Sequence, residues 1–283
     1  MTVPCQRWHE RRPRYRPSGE RINPTLHTVA AMTGHADARR FVEAHHYLSS
    51  WPSVSLPVGL YRGARLVGVC TFGIPAQARV FGALAPGHAA LELSRLVLLD
   101  EVPGDGESWF VARAMAIARR ECGVTAIVSY SDPLTRTTAT GEPVCPGHVG
   151  VVYQALGAEY KGRGGARRIW LDPNGRTLSD RALSKIRNGE KGCTTEEGRL
   201  RSLGADPRRF AEEPAAWLAR VLPTIARQVK HPGCHRYVWA WAPPKRPEAK
   251  PARLRLWEPE PYPRQEHAEA PRATVADRTL TLF

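Results

Sequence analysis

The stretch from Leu91 to Tyr160 constrains the fold of this chain more than any other part of the sequence. Alternating residues at 91–99 predict a strand, EVPGDGES predicts a turn, and apolar residues at helical spacing predict a helix over 109–121. A buried strand at 124–129, a polar loop and a helix at 151–156 follow. Polar residues fall on the junctions between these elements, where active sites are commonly placed, so we interpret the chain as an α/β enzyme.

The flanking segments complete the predicted organisation. Earlier patterns predict a strand at 25–32, a helix at 36–46 and two strands at 54–61 and 66–72 that are joined at Gly63. Later patterns predict a strand at 166–171, a basic helix within 172–192, a helix over 212–230 interrupted at Pro223, and an aromatic strand at 235–241. We expect a basic flexible arm over 1–23, a catalytic core over 24–172, a basic extension packed on the core over 173–241, and a disordered Pro-rich tail over 242–283.

Positive charge is concentrated in one part of the chain. The net charge is +14, and residues 161–241 hold 17 Lys and Arg against 8 Asp and Glu, whereas residues 37–160 hold 10 against 11. Clustered cations bind phosphate backbones by releasing counterions, so the later segment predicts a polyanion partner. A solvated basic surface without a partner is the alternative.

The sequence also indicates in which cellular compartment the protein works. No apolar run approaches the roughly 18 residues of a membrane span, and the first residues lack the apolar region of a secretory signal. The six cysteines form no CxxC pair, and Cys70, Cys122 and Cys234 lie in or beside apolar segments, where a thiol packs as a small hydrophobe. We therefore expect a cytoplasmic protein that has no membrane partner and keeps its thiols reduced.

The glycine-containing turn before the helix at 109–121 has the composition of an anion site. Ser108 is the predicted N-cap, while Gly104 and Gly106 let backbone N–H groups approach a ligand at the positive end of the helix. The pattern predicts a cofactor-binding turn formed by these three residues. A capped turn that binds nothing is the alternative.

Other unusual polar residues lie at the ends or centres of predicted elements. Tyr47 follows a helix, Arg95 lies in a strand expected to be central, and Asp132 lies just past a buried strand. A charge in a central strand needs a partner or a function, which makes Arg95 a candidate, and Asp132 lies where acid and base groups are commonly placed. The alternatives are that Tyr47 only caps and packs at the helix end, that Arg95 braces the core and that Asp132 begins a Pro-containing turn.

Several motifs in a consistent order resemble the Mom family of phage-encoded DNA-modifying proteins, which is GNAT-like. They are HHY at 45–47, ELSRL at 92–96, Ser108 opening a helix, SYSDP at 129–133, GHVGVVYQALGAEYKG at 147–162 and the late strand HRYVW. The resemblance covers about residues 25–241. It implies a GNAT-like central mixed sheet flanked by helices, to which this chain adds a basic helical C-terminal extension and a Pro-rich tail.

The resemblance also implies a function and a site. Mom proteins convert adenine in DNA to its N6-carbamoylmethyl form and thereby protect phage DNA from host restriction. The partners implied are double-stranded DNA and a small donor of the transferred group. The catalytic residues implied are Tyr47, Arg95, Ser108, Asp132, His148 and Tyr153. The family also implies iron, for which Tyr47 and Asp132, together with His46 and His148, supply suitable ligand types.

The chemistry gives these residues roles. An exocyclic amine on a paired base is inaccessible, so the enzyme must extrude the base, stack it and accept an N–H proton. Tyr47 and Trp51 are candidates for stacking, and Asp132 is the predicted proton acceptor. Arg95 is predicted to hold an oxygen of the donor as charge develops, and Ser108 to orient the rest of the donor.

Two other functions are compatible with the sequence. A conventional GNAT acyltransferase acting on a small amine, a peptide or RNA would need acetyl-CoA, but Glu101 and Asp105 in the turn oppose a pyrophosphate. A non-catalytic DNA-binding protein on the same scaffold would need only the basic segment. Binding of acetyl-CoA and modification of DNA distinguish the three.

Overall fold

The computed structural model describes residues 5–9, 12–16, 19–48, 50–75, 89–145, 147–241 and 259–264. In chain order the strands and helices are β1 (Cys5–His9), β2 (Arg12–Arg16), a 3-10 turn (Pro24–Leu26), β3 (His27–Ala31), α1 (His35–His45), β4 (Leu56–Arg62), β5 (Arg65–Gly73), β6 (Ala90–Leu98), α2 (Gly106–Cys122), β7 (Ala126–Ser131), β8 (Arg136–Thr137), β9 (Pro143–Cys145), α3 (Val151–Ala155), β10 (Glu159–Arg163), β11 (Arg167–Leu171), α4 (Asp180–Arg187), α5 (Cys193–Ser202), α6 (Pro214–Ile225), β12 (Arg227–His231) and β13 (His235–Ala240).

Seven strands form one sheet in the order β10, β13, β7, β6, β5, β4, β3. Strands β6 and β7 are parallel, and the other neighbours in this sheet are antiparallel. Helix α2 buries Phe110 against one face of the sheet, where Phe72 and Tyr237 are also buried, and α1 packs Val42 on Val69 and Val97. Each fully buried side chain of this size stabilises the fold by about 1.5–3 kcal/mol. The predicted mixed sheet flanked by helices is confirmed.

The sheet opens between β6 and β7. Their parallel pairing ends at Leu93 and Ser129, where the hydroxyl of Ser129 donates a hydrogen bond to the carbonyl oxygen of Leu93 at 3.0 Å. Strand β6 continues to Leu98 and β7 to Ser131, paired only with their outer neighbours β5 and β13. The two strands therefore separate just before the residues that were expected to be catalytic.

Helix α2 begins earlier than predicted. Asp105, not Ser108, is the N-cap, and Ser108 lies inside the first turn with its hydroxyl donating to the carbonyl oxygen of Asp105 at 3.0 Å. A side chain at Gly106 would place its Cβ 2.4 Å from Cγ1 of Val102, so glycine lets the start of the helix pack closely on Val102. The helix ends at Gly123, whose φ of 61° suits a C-cap.

Besides the short strands β8 and β9 in the predicted polar loop, strands β10 and β12 were not predicted, and one predicted helix is shorter. Strand β10 follows α3 directly, and RQVK, which was expected to be helical, forms β12. Helix α6 ends at Ile225, so Pro223 lies in its last turn and does not interrupt it. Strand β12 pairs with β11 some 60 residues earlier, and such a distant partner leaves no local pattern.

The main sheet includes a strand from beyond the predicted boundary at residues 172 and 173. Strand β13 lies inside the main sheet, between β10 and β7, although it comes from the predicted extension. Helices α4, α5 and α6 do form a separate hydrophobic cluster around the fully buried Trp217. The extension is therefore a helical insertion that returns to complete the core sheet.

The two terminal segments also differ from the predictions. Strands β1 and β2 pair as an antiparallel hairpin, so part of the arm expected to be flexible has regular backbone structure. Residues 259–264 lie along β10, where the N–H of Glu260 donates to the oxygen of Tyr160 at 2.9 Å and the Tyr262 hydroxyl donates to the oxygen of Ala158 at 2.7 Å. These six residues are not disordered, and the rest of the predicted tail, 242–258 and 265–283, lies outside the described residues.

Across the part of the chain that the structure describes, no helix combines the length and the apolar character that crossing a membrane requires.

Candidate active site

Aromatic and imidazole side chains from distant parts of the chain meet near the opening between β6 and β7. The rings of His46 and Tyr47, at the end of α1, stack with centroids 4.3 Å apart. The ring of His148 approaches Tyr47 edge-on, with ring centroids 6.4 Å apart. The backbone N–H of His148 donates to the backbone carbonyl oxygen of Asp132 at 2.8 Å. With Arg95 and Tyr153, described below, these residues make up what we call the Tyr47 cluster: His46, Tyr47, Arg95, His148 and Tyr153.

Both histidines of the cluster are neutral at physiological pH. Burial lowers the pKa of His46, and Arg95 and His148 lower it further. Burial, with a contribution from His235, lowers the pKa of His148 to about 4. Nδ1 of His46 accepts a hydrogen bond from the N–H of Leu48 at 3.1 Å, so the neutral ring carries its proton on Nε2.

The two tyrosines of the cluster stay protonated. Burial raises the pKa of Tyr47 well above its usual value and raises that of Tyr153 to about 12. Helix α3 supplies Tyr153, whose ring packs on Tyr237 at 5.4 Å and on Trp239 at 5.6 Å, and its hydroxyl interacts with Ser129 at the point where the strands separate. Each phenol is therefore a hydrogen-bonding group and not a phenolate at neutral pH.

The guanidinium of Arg95 links the central strand to the segment that follows Tyr47. Its Nε donates to the carbonyl oxygen of Ser50 at 3.2 Å, Nη2 donates to the hydroxyl of Ser50 at 3.0 Å, and Nη1 donates to the oxygen of Ser94 at 2.6 Å. Burial lowers the pKa of Arg95, while Tyr47, Glu92 and Tyr153 favour its charged form. The arginine thus braces the segment and supplies positive charge to the cluster.

Glu92 is the functional candidate to which the sequence assigned no role. Burial raises the pKa of its carboxyl group, and Arg95 acts in the opposite direction. Among the described residues its carboxylate has no hydrogen-bond or ion-pair partner, and it raises the pKa of Tyr153 and Tyr130 from within the same region. The signal in the sequence was a carboxylate inside a strand that should be central, where a charge is costly without a function.

Asp132 follows β7 as predicted, but both oxygens of its carboxylate are engaged. Oδ1 accepts hydrogen bonds from the N–H of Leu134 at 2.9 Å and from Nε2 of His231 at 3.0 Å. Oδ2 forms an ion pair with Arg136, whose side chain is only 5% exposed. The sequence did not point to Arg136 or His231 as partners. The arrangement resembles a structural brace more than a free proton acceptor.

The donor set around Asp132 does not fit a metal ion as it is arranged. Donor atoms of Asp132, His231 and Cys234 lie within 4.8 Å of one another, and their types suit a divalent transition metal. However, Nδ1 of His231 accepts from the N–H of Gly233 at 2.9 Å, so the neutral ring bears its proton on Nε2 and donates it to Asp132. Burial lowers the pKa of His231 to about 4, and Arg136 already neutralises the carboxylate. Tyr47, the other ligand that the resemblance implied, is not in this group.

The glycine turn before α2 is closed by the chain itself. The N–H of Gly104 donates to Oε2 of Glu20 at 3.2 Å, and the N–H of Asp105 donates to the carbonyl oxygen of Glu20 at 3.2 Å. Oδ1 of Asp105 accepts from the N–H of Ile22 at 2.7 Å. A carboxylate of the chain itself therefore accepts a hydrogen bond in the turn of Gly104, Gly106 and Ser108, where the sequence predicted a cofactor.

Two solved structures show similarity to this chain. One is a tandem GNAT protein from the clavulanic acid biosynthesis pathway, without AcCoA, with 12% identity, a TM-score of 0.34 and coverage of 62% of this chain and 64% of that one. Another is a GCN5-related N-acetyltransferase from Kribbella flavida, with 12% identity, a TM-score of 0.29 and coverage of 78% and 56%. The chain thus spans less than two thirds of the length of either.

No curated protein sequence matches the chain. The model of the Mom protein family matches residues 27–264, a range that includes the whole Tyr47 cluster, Glu92 and the network around Asp132. Because this match covers most of the sequence and agrees with the motifs at 45–47, 92–96, 129–133 and 147–162, the chain belongs to the Mom protein family.

Proposed function

We propose that this protein is a DNA-modifying transferase that converts adenine in DNA to an N6-modified, carbamoylmethyl-type adenine and so protects the DNA from restriction. The observation that carries the proposal is the Tyr47 cluster, in which neutral imidazoles and phenols surround one arginine near the opening of the sheet. Membership in the Mom family supports DNA as the substrate.

The cluster suits a base that has left the duplex. The amine of adenine is paired inside DNA, so the base must be extruded before it can react. The stacked rings of His46 and Tyr47 offer an aromatic surface for such a base. The Nε2 proton of His46 and the protonated phenol of Tyr47 are donors that can bind acceptor nitrogens on its edge.

In the proposed reaction N6 forms a bond to the reacting carbon of the donor, and the leaving group departs with the bonding electron pair. The proton that N6 loses passes to the carboxylate of Glu92, because this carboxylate has a raised pKa and is not committed to an ion pair. Arg95 stabilises negative charge on the carbonyl oxygen of the donor. Asp132 holds the loop after β7 in place and does not itself take the proton.

The test is the nucleoside content of DNA from a bacterial host that produces the protein. Digestion to nucleosides and mass spectrometry should show a modified deoxyadenosine with the wild type and none with an empty vector. Glu92→Gln keeps the shape of the side chain but cannot accept a proton, so it should abolish the product, and Glu92→Asp should restore part of it. Unmodified deoxyadenosine from cells that contain soluble wild-type protein would exclude the proposal.

A conventional acyltransferase is the competing function. It would require the turn before α2 to bind a pyrophosphate, although Glu20 occupies that turn. Calorimetric titration with acetyl-CoA separates the two functions. Tight binding, together with unmodified DNA in cells, would favour the acyltransferase.

A further inference from the structure

Arg168 and Lys230 face each other across the small sheet formed by β11 and β12. The strand register pairs them directly, and both side chains are exposed. Cβ atoms at such positions lie about 4.5–5.5 Å apart, and like charges placed directly opposite each other destabilise a sheet. The protein therefore keeps two cations together at a cost in stability.

This cost is not offset within the part of the chain that the structure describes. Neither residue has a carboxylate within 4.0 Å, and the contact of Arg168 is a hydrogen bond from its Nη1 to Oε1 of Gln228 at 2.9 Å. The amide of Gln228 is neutral and orients the guanidinium without compensating its charge. The neighbouring Arg167 approaches Asp180 only at 3.9 Å, and both side chains are more than half exposed, so this pair contributes little.

Lys230 of this pair is adjacent in sequence to a residue of the network around Asp132. Lys230 immediately precedes His231, whose Nε2 donates to the carboxylate of Asp132. The backbone carbonyl oxygen of Asp132 in turn accepts the backbone N–H of His148 in the Tyr47 cluster. Two hydrogen bonds therefore connect the end of β12 to the cluster. Because side chains alternate along a strand, Lys230 points to the face opposite His231, so the connection between an anion at this pair and the cluster runs through the backbone of β12.

We propose that Arg168 and Lys230 together bind one phosphate of the DNA backbone and so position the strand that presents its adenine to the Tyr47 cluster. The inference rests on the proposed function for the identity of the polyanion. A single phosphate between the two side chains removes their repulsion and uses both as charge-assisted donors. The excess of nine positive charges over residues 161–241 favours DNA over a protein with an acidic surface as the partner.

The test compares Arg168→Gln, Lys230→Gln and the double variant in binding to a short duplex at several salt concentrations. The plot of log K against log salt has a negative slope, and the loss of one phosphate contact makes this slope less steep by about 0.9. Because both cations share one phosphate, the double variant should lose about 0.9 in total and not twice that amount. Without DNA, each single variant should melt at the same temperature as the wild type or higher, since the repulsion is gone.

Arg120→Gln is the matched control, because Arg120 is an exposed arginine on α2 that is paired with Glu121. It should leave the slope unchanged. Variants of Arg168 and Lys230 that bind DNA with the wild-type affinity and slope would overturn the inference, even if the wild type modifies adenine. If the variants instead lose binding to polyglutamate but not to DNA, the pair recognises an acidic protein and the inference is also wrong. If the variants show the expected change of slope but the wild type leaves adenine in the host unmodified, the proposed function is wrong while the inferred phosphate contact stands.

Discussion

Nε2 of His231 donates a hydrogen bond to the carboxylate of Asp132 at 3.0 Å, although 99 residues separate them in the sequence. The bond connects β12 to the loop that follows β7. The same carboxylate is paired with the buried Arg136, and the backbone carbonyl oxygen of Asp132 accepts the N–H of His148, so Asp132 connects both partners to the backbone on which His148 lies. A substitution at Asp132 is therefore expected to change the stability of the fold as well as any activity of the site.

Asp132→Ala should lower the free energy of unfolding by about 3–5 kcal/mol, because it leaves the guanidinium of Arg136 buried without a counter-charge. Urea denaturation followed by circular dichroism measures this loss. The double variant Asp132→Ala with Arg136→Met should recover much of it, since no charge is then buried. A single variant as stable as the wild type would contradict the brace.

Stability should decrease as the pH falls from about 6.5 towards 4. The pKa values of His148 and His231 are about 4 in the folded protein, below the ordinary value of 6.5, so the unfolded chain binds more protons across this range. The contribution of both groups is present in full above 6.5. Urea midpoints measured across the range report the effect.

The variant His231→Gln supplies the control for this pH dependence. It should be less stable than the wild type at neutral pH but should lose less stability on acidification, because glutamine does not titrate. Equal losses in the two proteins would show that His231 is not responsible.

Tyr47→Phe should reduce adenine modification by roughly tenfold or more, because it removes one preorganised donor from the cluster. Burial raises the pKa of Tyr47 far above neutrality, so the wild-type rate should show no basic limb from this residue below about pH 10. Rates of DNA modification measured against pH test both points. A limb near pH 8 or 9 that disappears in Tyr47→Phe would mean that the phenol ionises.

Arg95→Lys should loosen the segment around Ser50 while it keeps the positive charge. Lysine cannot donate at once to the backbone oxygen and the hydroxyl of Ser50, so hydrogen exchange of this segment should be faster and modification slower. The matched control is Arg39→Lys on α1, which changes an exposed arginine paired with Glu43. Unchanged exchange in Arg95→Lys would exclude the bracing role.

Gly150→Ala should be more destabilising than Gly189→Ala. Both glycines have positive φ, 74° and 61°, and an alanine there is strained by about 1–2 kcal/mol. At Gly150 the new Cβ would also lie 2.7 Å from the ring of Tyr237, whereas no atom lies within 4 Å at Gly189. Thermal melting of the two variants isolates the steric part. Equal melting temperatures would show that the Tyr237 ring moves without cost.

Local sequence patterns predicted most of the elements that position the site. Alternation and helical spacing identified β4, β5, β6, α1, α2 and β13 to within about three residues, because each of these segments buries one regular face. The same patterns missed β10 and β12, which are short and partly exposed. Their strand character depends on partners that are distant in the sequence.

By itself the sequence determined the α/β class, the family and the presence of unusual polar residues at the junctions, since these depend on residue types and their order. Only the tertiary structure decided which contacts those residues make. It paired Asp132 with Arg136 and His231, closed the turn at Gly104 with Glu20, and left Glu92 with no partner in the described chain. The reason is physical: the protonation and availability of a side chain are set by burial and by neighbours that the fold brings from far along the chain.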